Sequence, residues 1–323
     1  MIKHVKTLAA CLSALLLAGC AASPTPAPTT TCYHVAMIAK STSTEFWSAV
    51  FAGAEAAATE YNMDLTITGS ESEEDYSSQN DLIEKAVEEG AQAIIFSASD
   101  YQKNAAAIDA AADKGVCIVV VDSAVNSSNV SAYVGADNYG AGQMAAKSAL
   151  ENVEGPLHVG LVNYNVNSPN AQEREKGVID TLTASGRAEV AATVYSVATP
   201  ENARAETLTM LARHPEINVL ISFNEAVSVG AAQAVSDLDR ADDLWMVAFD
   251  SNITTVDALH TGAVDAMVVQ NTYGMGYFSV ENAYKLLAGQ GNDVTRETET
   301  ATRIIDRSNI FALDGQKAVF PFE

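Results

Sequence analysis

The side chains best suited to binding chemistry in this chain of 323 residues follow short apolar runs that are typical of buried strands. The first group lies in KSTSTEFW (residues 40–47), directly after the run HVAMIA. Later runs are followed by carboxylates, amides, a hydroxyl and a guanidinium. The candidate ligand-binding residues are Lys40, Thr44, Phe46, Trp47, Asp122, Ser123, Arg174, Asn224, Asp250 and Gln270.

Together these side chains suit a sugar. Carboxylate, guanidinium and amide groups match the bidentate geometry of neighbouring hydroxyls, and aromatic rings pack against the C–H faces of a sugar ring. Structural roles are also open, because Asp122, Asn224 and Asp250 are residue types that favour helix N-caps. Arg174 suits a solvated helix face, and Lys40 suits the rim of a cleft.

The elements that must position these residues follow a regular alternation. Apolar runs such as AIIFS, CIVVV and NVLISF alternate with helical stretches, the first three near residues 46–61, 76–89 and 100–114. This rhythm restarts after Asp137, so the sequence predicts an α/β fold with two parallel sheets. Ligands of open α/β sheets bind outside the carboxyl ends of the strands, which is where the candidate residues lie.

One ordered series of motifs resembles a known family. It contains Phe46-Trp47, Asp122, Gly135-Ala-Asp-Asn138, Glu173-Arg174, His214-Pro215, Asn224-Glu225, Phe249-Asp250 and Gln270. The series is similar to the ribose-binding and related sugar-binding proteins of the type I periplasmic binding protein family, from Tyr33 to about Ile305. The resemblance implies two Rossmann-like lobes joined by a three-crossover hinge. The N-terminal lobe would comprise 33–137 plus 274–303, and the C-terminal lobe 138–273 plus 304–323.

The resemblance also implies roles. Phe46 and Trp47 would flank the sugar, Thr44 would make a polar contact, and Asp122, Arg174, Asn224, Asp250 and Gln270 would bind hydroxyls. Departures from the ribose pattern leave the sugar open. Ser123 stands where the pattern has arginine, no aromatic residue is found near Ala198 or Thr199, and Lys40 stands where a small residue is commoner.

The N-terminus predicts export and lipidation. Residues 1–19 combine Lys3 and Lys6 with an apolar run and small residues, as in a signal peptide, and Leu17-Ala-Gly-Cys20 resembles a lipobox. Cys20 would then carry the lipid, and residues 20–32 would form a Pro/Thr-rich tether. We therefore expect an extracytoplasmic body anchored to the membrane through Cys20. An ordinary signal peptide is the alternative, and Cys32 and Cys117 could be paired or free.

Composition and motifs argue against several classes of function. A formal charge of −23 argues against nucleic-acid binding, and we find no catalytic, cofactor or metal-binding motif. The family resemblance, together with the predicted lipidation, implies a monomeric substrate-binding lipoprotein of an ABC importer that binds a pentose or hexose by hinge closure and contacts the membrane permease. A sensory receptor for autoinducer-2, inositol or a nucleoside is the alternative. A sugar-processing enzyme using Asp122 and Asp250 is a remote one.

Overall fold

The computed structural model describes residues 32–320. The described residues from Tyr33 onward form one compact unit. The predicted signal peptide, Cys20 and nearly all of the tether lie outside the described residues. Within the described part, Cys32 and Cys117 are both free thiols, and no helix is long and apolar enough to cross a membrane.

The described chain alternates between strands and helices, as the sequence predicts. The strands are β1 (His34–Ala39), β2 (Asp64–Gly69), β3 (Ala93–Phe96), β4 (Cys117–Val121), β5 (Val130–Gly135), β6 (Leu157–Asn163), β7 (Ala188–Tyr195), β8 (Val219–Ser222), β9 (Trp245–Phe249), β10 (Ala266–Gln270), β11 (Glu297–Glu299) and β12 (Thr302–Asp306). The helices are α1 (Glu45–Glu60), α2 (Tyr76–Glu88), α3 (Ala105–Asp113), α4 (Asn138–Asn152), α5 (Pro169–Ser185), α6 (Pro200–Arg213), α7 (Glu225–Asp237), α8 (Ile253–Thr261), α9 (Thr272–Leu287) and α10 (Leu313–Val319).

Two six-stranded sheets repeat one topology. The first has the order β11-β5-β4-β3-β1-β2 and the second the order β12-β10-β9-β8-β6-β7. Neighbouring strands in the two sheets are parallel, except that β10 and β12 are antiparallel. The chain passes between the sheets after β5, after β10 and after β11. The predicted fold of two Rossmann-like lobes joined by three crossovers is therefore confirmed.

Continuous apolar strands explain why each sheet is covered on both faces. Along β1, Val35 and Met37 belong to one buried cluster, whereas Ala36 and Ile38 belong to another, because successive side chains point to opposite faces. The second sheet has a core of its own built from β6, β8, β9 and β10. Each lobe therefore has the buried apolar surface that positions its strand ends rigidly.

The third helix differs from the prediction at its start. The sequence predicts a helix from about 100 to 114, but α3 begins only at Ala105. Asp100 Oδ1 accepts hydrogen bonds from the backbone N–H groups of Gln102 and Lys103, at 3.0 Å each. These local bonds compete with helical ones and form a turn instead.

A close contact between α1 and α9 completes the first lobe from a distant part of the chain. A Cβ atom at Gly276 would lie 1.8 Å from the carbonyl oxygen of Val50, and one at Gly53 would lie 2.0 Å from that of Tyr273. Only glycine allows the two backbones to approach this closely. The contact fixes α1, which begins beside the candidate site.

We expect Gly276→Ala to lower the free energy of unfolding by about 1–3 kcal/mol, because the new methyl group must push a backbone carbonyl aside. Urea denaturation measures the change. Gly291→Ala is the matched control, since its Cβ would meet only Leu286, at 3.6 Å. Equal stability of the two variants would contradict the close contact.

Candidate functional site

A cavity between the carboxyl ends of the two sheets brings most of the predicted residues together. Eight of the ten candidates line it; the exceptions are Ser123 and Gln270. The space itself is about 20 Å³, room for about one water molecule. A monosaccharide therefore requires the walls to move apart. The lining residues are Lys40, Thr44, Phe46, Trp47, Glu73, Asp122, Tyr164, Asn170, Arg174, Asn224, Glu225, Ala226 and Asp250.

Asp122 and Asp250 occupy equivalent positions in the two sheets. Each directly follows the same strand of the repeated topology, β4 or β9, and each has a positive φ, 60° and 65°. The backbone N–H of Asp122 donates to the Val134 carbonyl and that of Asp250 to the Val268 carbonyl, both at 2.9 Å. Left-handed backbone at residues other than glycine is uncommon and tends to occur at functional sites. Neither aspartate caps a helix.

Lys40 and Asp122 form a buried ion pair. The Lys40 Nζ lies 3.4 Å from Asp122 Oδ2, and both side chains are at most 5% exposed, which rules out the rim position for Lys40. Ser97 Oγ donates to the same oxygen, and Asn170 Nδ2 donates to Asp122 Oδ1 at 2.7 Å. Burial alone lowers the pKa of Lys40, but Asp122 and other nearby acidic groups outweigh it and raise the pKa above its usual value.

Arg174 is buried rather than on a solvated helix face. Its Nε donates to Asn138 Oδ1 at 2.8 Å, and its Nη1 donates to the Phe223 carbonyl at 2.7 Å. The guanidinium carbon lies 4.8 Å from the centre of the Phe249 ring, within the range of a cation–π interaction. Arg174 is therefore held rigidly while its charge acts on the cavity.

Gln270 supports Asp250 from behind the cavity. Gln270 Nε2 donates to Asp250 Oδ1 at 2.6 Å. Burial raises the pKa of Asp250 to about 6, against the opposing effects of Arg174 and Gln270. Gln270 lines an adjoining cavity of about 180 Å³, whose wall also contains Phe46 and Asp250. Its predicted role as a direct ligand remains a prediction.

The two aromatic candidates differ in exposure. Trp47 is 1% exposed, belongs to the core of the first lobe and stacks on Phe51 with ring centres 6.0 Å apart. Phe46 is only partly buried and lies on the wall between the two cavities. Thr44 Oγ1 accepts from the Trp47 backbone N–H and so caps α1. Ser123 is fully buried away from the wall, and its Oγ has no hydrogen-bond partner.

Asn224 combines a cap with a contact across the cleft. Its Oδ1 accepts from the Val227 N–H at the start of α7, so the capping alternative is correct. Its Nδ2 donates to Glu73 Oε2 at 3.3 Å, from the second lobe to the first. The same side chain therefore orders a helix and borders the cavity.

Four polar lining residues were not predicted: Glu73, Tyr164, Asn170 and Glu225. Glu73 lies in the acidic run ESEEDY, which is typical of a solvated loop. Glu225 resembles an ordinary acidic residue in the first turn of a helix. A usable signal existed, because every one of the four follows a strand and lies at the same edge of its sheet.

Two glutamates cross the cleft in opposite directions. Glu225 of the second lobe accepts from the backbone N–H groups of Phe46 (2.7 Å) and Glu45 (3.2 Å), at the start of α1. Glu45 of the first lobe accepts from the Ile253 N–H at the start of α8, at 3.3–3.4 Å. Each carboxylate meets the positive end of a helix in the other lobe, which stabilises the closed arrangement.

We expect Lys40→Met to lower the free energy of unfolding by about 3 kcal/mol or more at about pH 7, because it leaves the buried Asp122 without its cation. Urea denaturation measures this. Lys85→Met is the control, since the Lys85–Glu89 pair is more than half exposed and contributes about 0.5 kcal/mol or less. A loss as small as that of the control would contradict a buried ion pair.

The raised pKa of Asp250 predicts that the free energy of unfolding depends on pH. Because its pKa is about 6 in the folded protein and about 3.9 when unfolded, the folded state binds its proton more tightly. This group therefore makes the free energy of unfolding fall as the pH rises from about 4 to about 6, by up to about 3 kcal/mol.

Asp250→Asn should remove that fall and tolerate the positive φ, because asparagine also adopts left-handed backbone. Its stability relative to the original protein should therefore increase between about pH 4 and pH 7, as measured by urea denaturation across that range. The exposed Asp257→Asn is the control. A stability difference that is independent of pH would contradict the raised pKa.

Comparison with known proteins identifies the family. The periplasmic binding protein domain matches residues 35–291. A carbohydrate transporter solute-binding protein from Agrobacterium radiobacter, in complex with D-arabinose, superposes with a TM-score of 0.85 at 22% identity and covers 90% of this chain and 99% of its own. That likeness concerns the fold alone.

More similar sequences give the same result. A sugar transporter from Clostridium phytofermentans is 31% identical, with a TM-score of 0.77, over 85% of this chain and 99% of its own. The D-ribose/D-allose-binding protein of Pseudomonas aeruginosa is 31% identical over 121 residues, and the match spans 38% of each protein. The chain described here belongs to the periplasmic binding protein family and has its type I fold.

Proposed function

We propose that this protein is the substrate-binding lipoprotein of an ABC importer and binds a monosaccharide, a pentose or hexose, in the cleft between its lobes. One observation carries the proposal: eight residues whose side chains suit sugar binding line one cavity, although they come from loops as distant in sequence as residues 40 and 250. The relatives described above are sugar-binding or sugar-transport proteins by name, which supports the ligand class.

The arrangement suits a binding protein that closes on its ligand. Lys40, Phe46 and Asp122 belong to the first lobe, while Arg174 and Asp250 belong to the second. A sugar held by both groups binds only when the lobes approach, so it shifts the population toward closure. We take the lobes as 33–137 with 274–303 and 138–273 with 304–323. The pairing of Thr302 with Gln270 supports a third boundary close to residue 303, on its N-terminal side.

Binding accounts for the carboxylates without catalysis. The Asp122 carboxylate is engaged by Lys40, Ser97 and Asn170, so it is not a free general base. The relatives named above are binding or transport proteins. In this proposal the protein acts as a monomer, the lipid on Cys20 keeps it outside the cytoplasmic membrane, and the permease recognises the closed form.

Calorimetry of the Tyr33–Glu323 unit against pentoses and hexoses tests the proposal. We expect one monosaccharide to bind and Asp250→Asn to weaken it about 10–100-fold, because a buried carboxylate bond to a hydroxyl contributes about 1.5–3 kcal/mol. Asp257→Asn, on an exposed face of α8, should leave the affinity unchanged. Absence of binding to every sugar in the panel would refute the proposal.

A further inference from the structure

The formal charges of the side chains that line the cavity do not cancel. Two cations face four carboxylates, which leaves an excess of two negative charges. Lys40 pairs with Asp122, and the Arg174 charge acts on Asp250, whose pKa it lowers. The charged residues in question are Lys40, Arg174, Glu73, Asp122, Glu225 and Asp250.

Glu225 is stabilised without a cation. It accepts two backbone N–H bonds at the start of α1 and a third bond from Asn252 Nδ2 at 3.1 Å. A carboxylate with several N–H donors at a helix N-terminus is a stable arrangement. Glu73 is therefore the carboxylate that remains without compensation.

Glu73 is weakly satisfied in the structure. Each of its oxygens accepts one long hydrogen bond of 3.3 Å, from Trp47 Nε1 and from Asn224 Nδ2. No lysine, arginine or histidine of the described chain forms an ion pair with it within 4.0 Å. Burial raises its pKa, with Lys40 opposing the shift and Asp122 adding to it. Both oxygens retain lone pairs for further donors.

Unused acceptors lie on the wall of this cavity and on the wall of the adjoining one. Asn170, on the cavity wall and 2% exposed, donates to Asp122, but its Oδ1 is buried without a partner. The Oε1 of Gln270, the residue that supports Asp250, is likewise buried and unpaired. Buried acceptors without donors are costly, so a ligand rich in donors gains affinity by satisfying them.

We infer that the cleft selects an amino sugar, a monosaccharide with an ammonium group in place of one hydroxyl, and that Glu73 recognises this group. The inference rests on the proposed function and names the ligand class within it. An ammonium supplies three donors and no acceptor, whereas a hydroxyl supplies one donor. Its positive charge also offsets the excess negative charge that closure would bury.

The test compares amino sugars with their parent sugars by calorimetry of the Tyr33–Glu323 unit at about pH 7, where such amines are largely protonated. The pairs are D-glucosamine with D-glucose, D-galactosamine with D-galactose and D-mannosamine with D-mannose. N-Acetyl-D-glucosamine controls for the nitrogen without the charge. We expect at least one amino sugar to bind about tenfold or more tightly than its parent, because charge-assisted bonds are roughly twice as strong as neutral ones.

Glu73→Gln keeps the shape and removes the charge. In this variant the preference for the amino sugar should fall about tenfold, toward equal affinity for the pair. Glu71→Gln, an exposed residue of the same loop, should keep the preference, and melting temperatures confirm that both variants fold.

The possible binding results distinguish the preference for amino sugars, the role of Glu73 and the proposed function. Parent sugars that bind as tightly as the amino sugars overturn this inference and leave the proposed function intact. A preference that survives in Glu73→Gln overturns the role of Glu73. If neither kind of sugar binds, this inference fails, and the proposed function is then decided by the panel of pentoses and hexoses described above.

Discussion

Placing carboxylates at a buried edge between two sheets is the constraint on which the rest of this site depends. Asp122 and Asp250 follow equivalent strands in left-handed backbone, which places both at the boundary between the lobes. A buried carboxylate must be paired or hydrogen-bonded. Lys40, Ser97 and Asn170 satisfy Asp122, while Gln270 and the charge of Arg174 stabilise Asp250.

The repeated topology explains why two aspartates became equivalent. Both sheets follow the same strand order, and both aspartates donate their backbone N–H to a neighbouring strand through the same pattern. The lobes differ in what surrounds each aspartate. The first offers a lysine at the end of β1, which is separated from β4 by β3, and the second offers an amide at the hinge, so the two acids have different electrostatic environments. A cleft of this kind presents one face with a fixed ion pair and one with a titratable acid.

Much of the fold could be predicted from the hydrophobic pattern of the sequence, because continuous apolar strands alternate with helices throughout. The strand-end rule also located Asp122, Arg174 and Asp250. It missed Glu73, since a run of acidic residues is indistinguishable in sequence from a solvated loop. Asn170 also follows a strand, but its bond to Asp122 could not be foreseen, because the two residues are 48 positions apart and lie in different lobes. Pairings across a cleft depend on how two separate bodies meet, which local patterns do not encode.

The contact between α1 and α9 has a similar long-range character. Two glycines allow the helices to touch although their sequences are more than two hundred residues apart. The first lobe cannot be completed until the part of the second lobe from β6 to β10 has been synthesised. Contacts at such separation slow folding, because the chain entropy of the intervening loop must be lost first.

The reciprocal glutamates at the cleft have a dynamic consequence. Glu45 and Glu225 each accept hydrogen bonds from the start of a helix in the other lobe, and the N–H groups that donate to Glu225 belong to Glu45 itself and its neighbour Phe46. A hinge rotation that separates the lobes must break both sets of hydrogen bonds. Such coupling favours opening as a single step between two states rather than as a gradual loosening of the cleft.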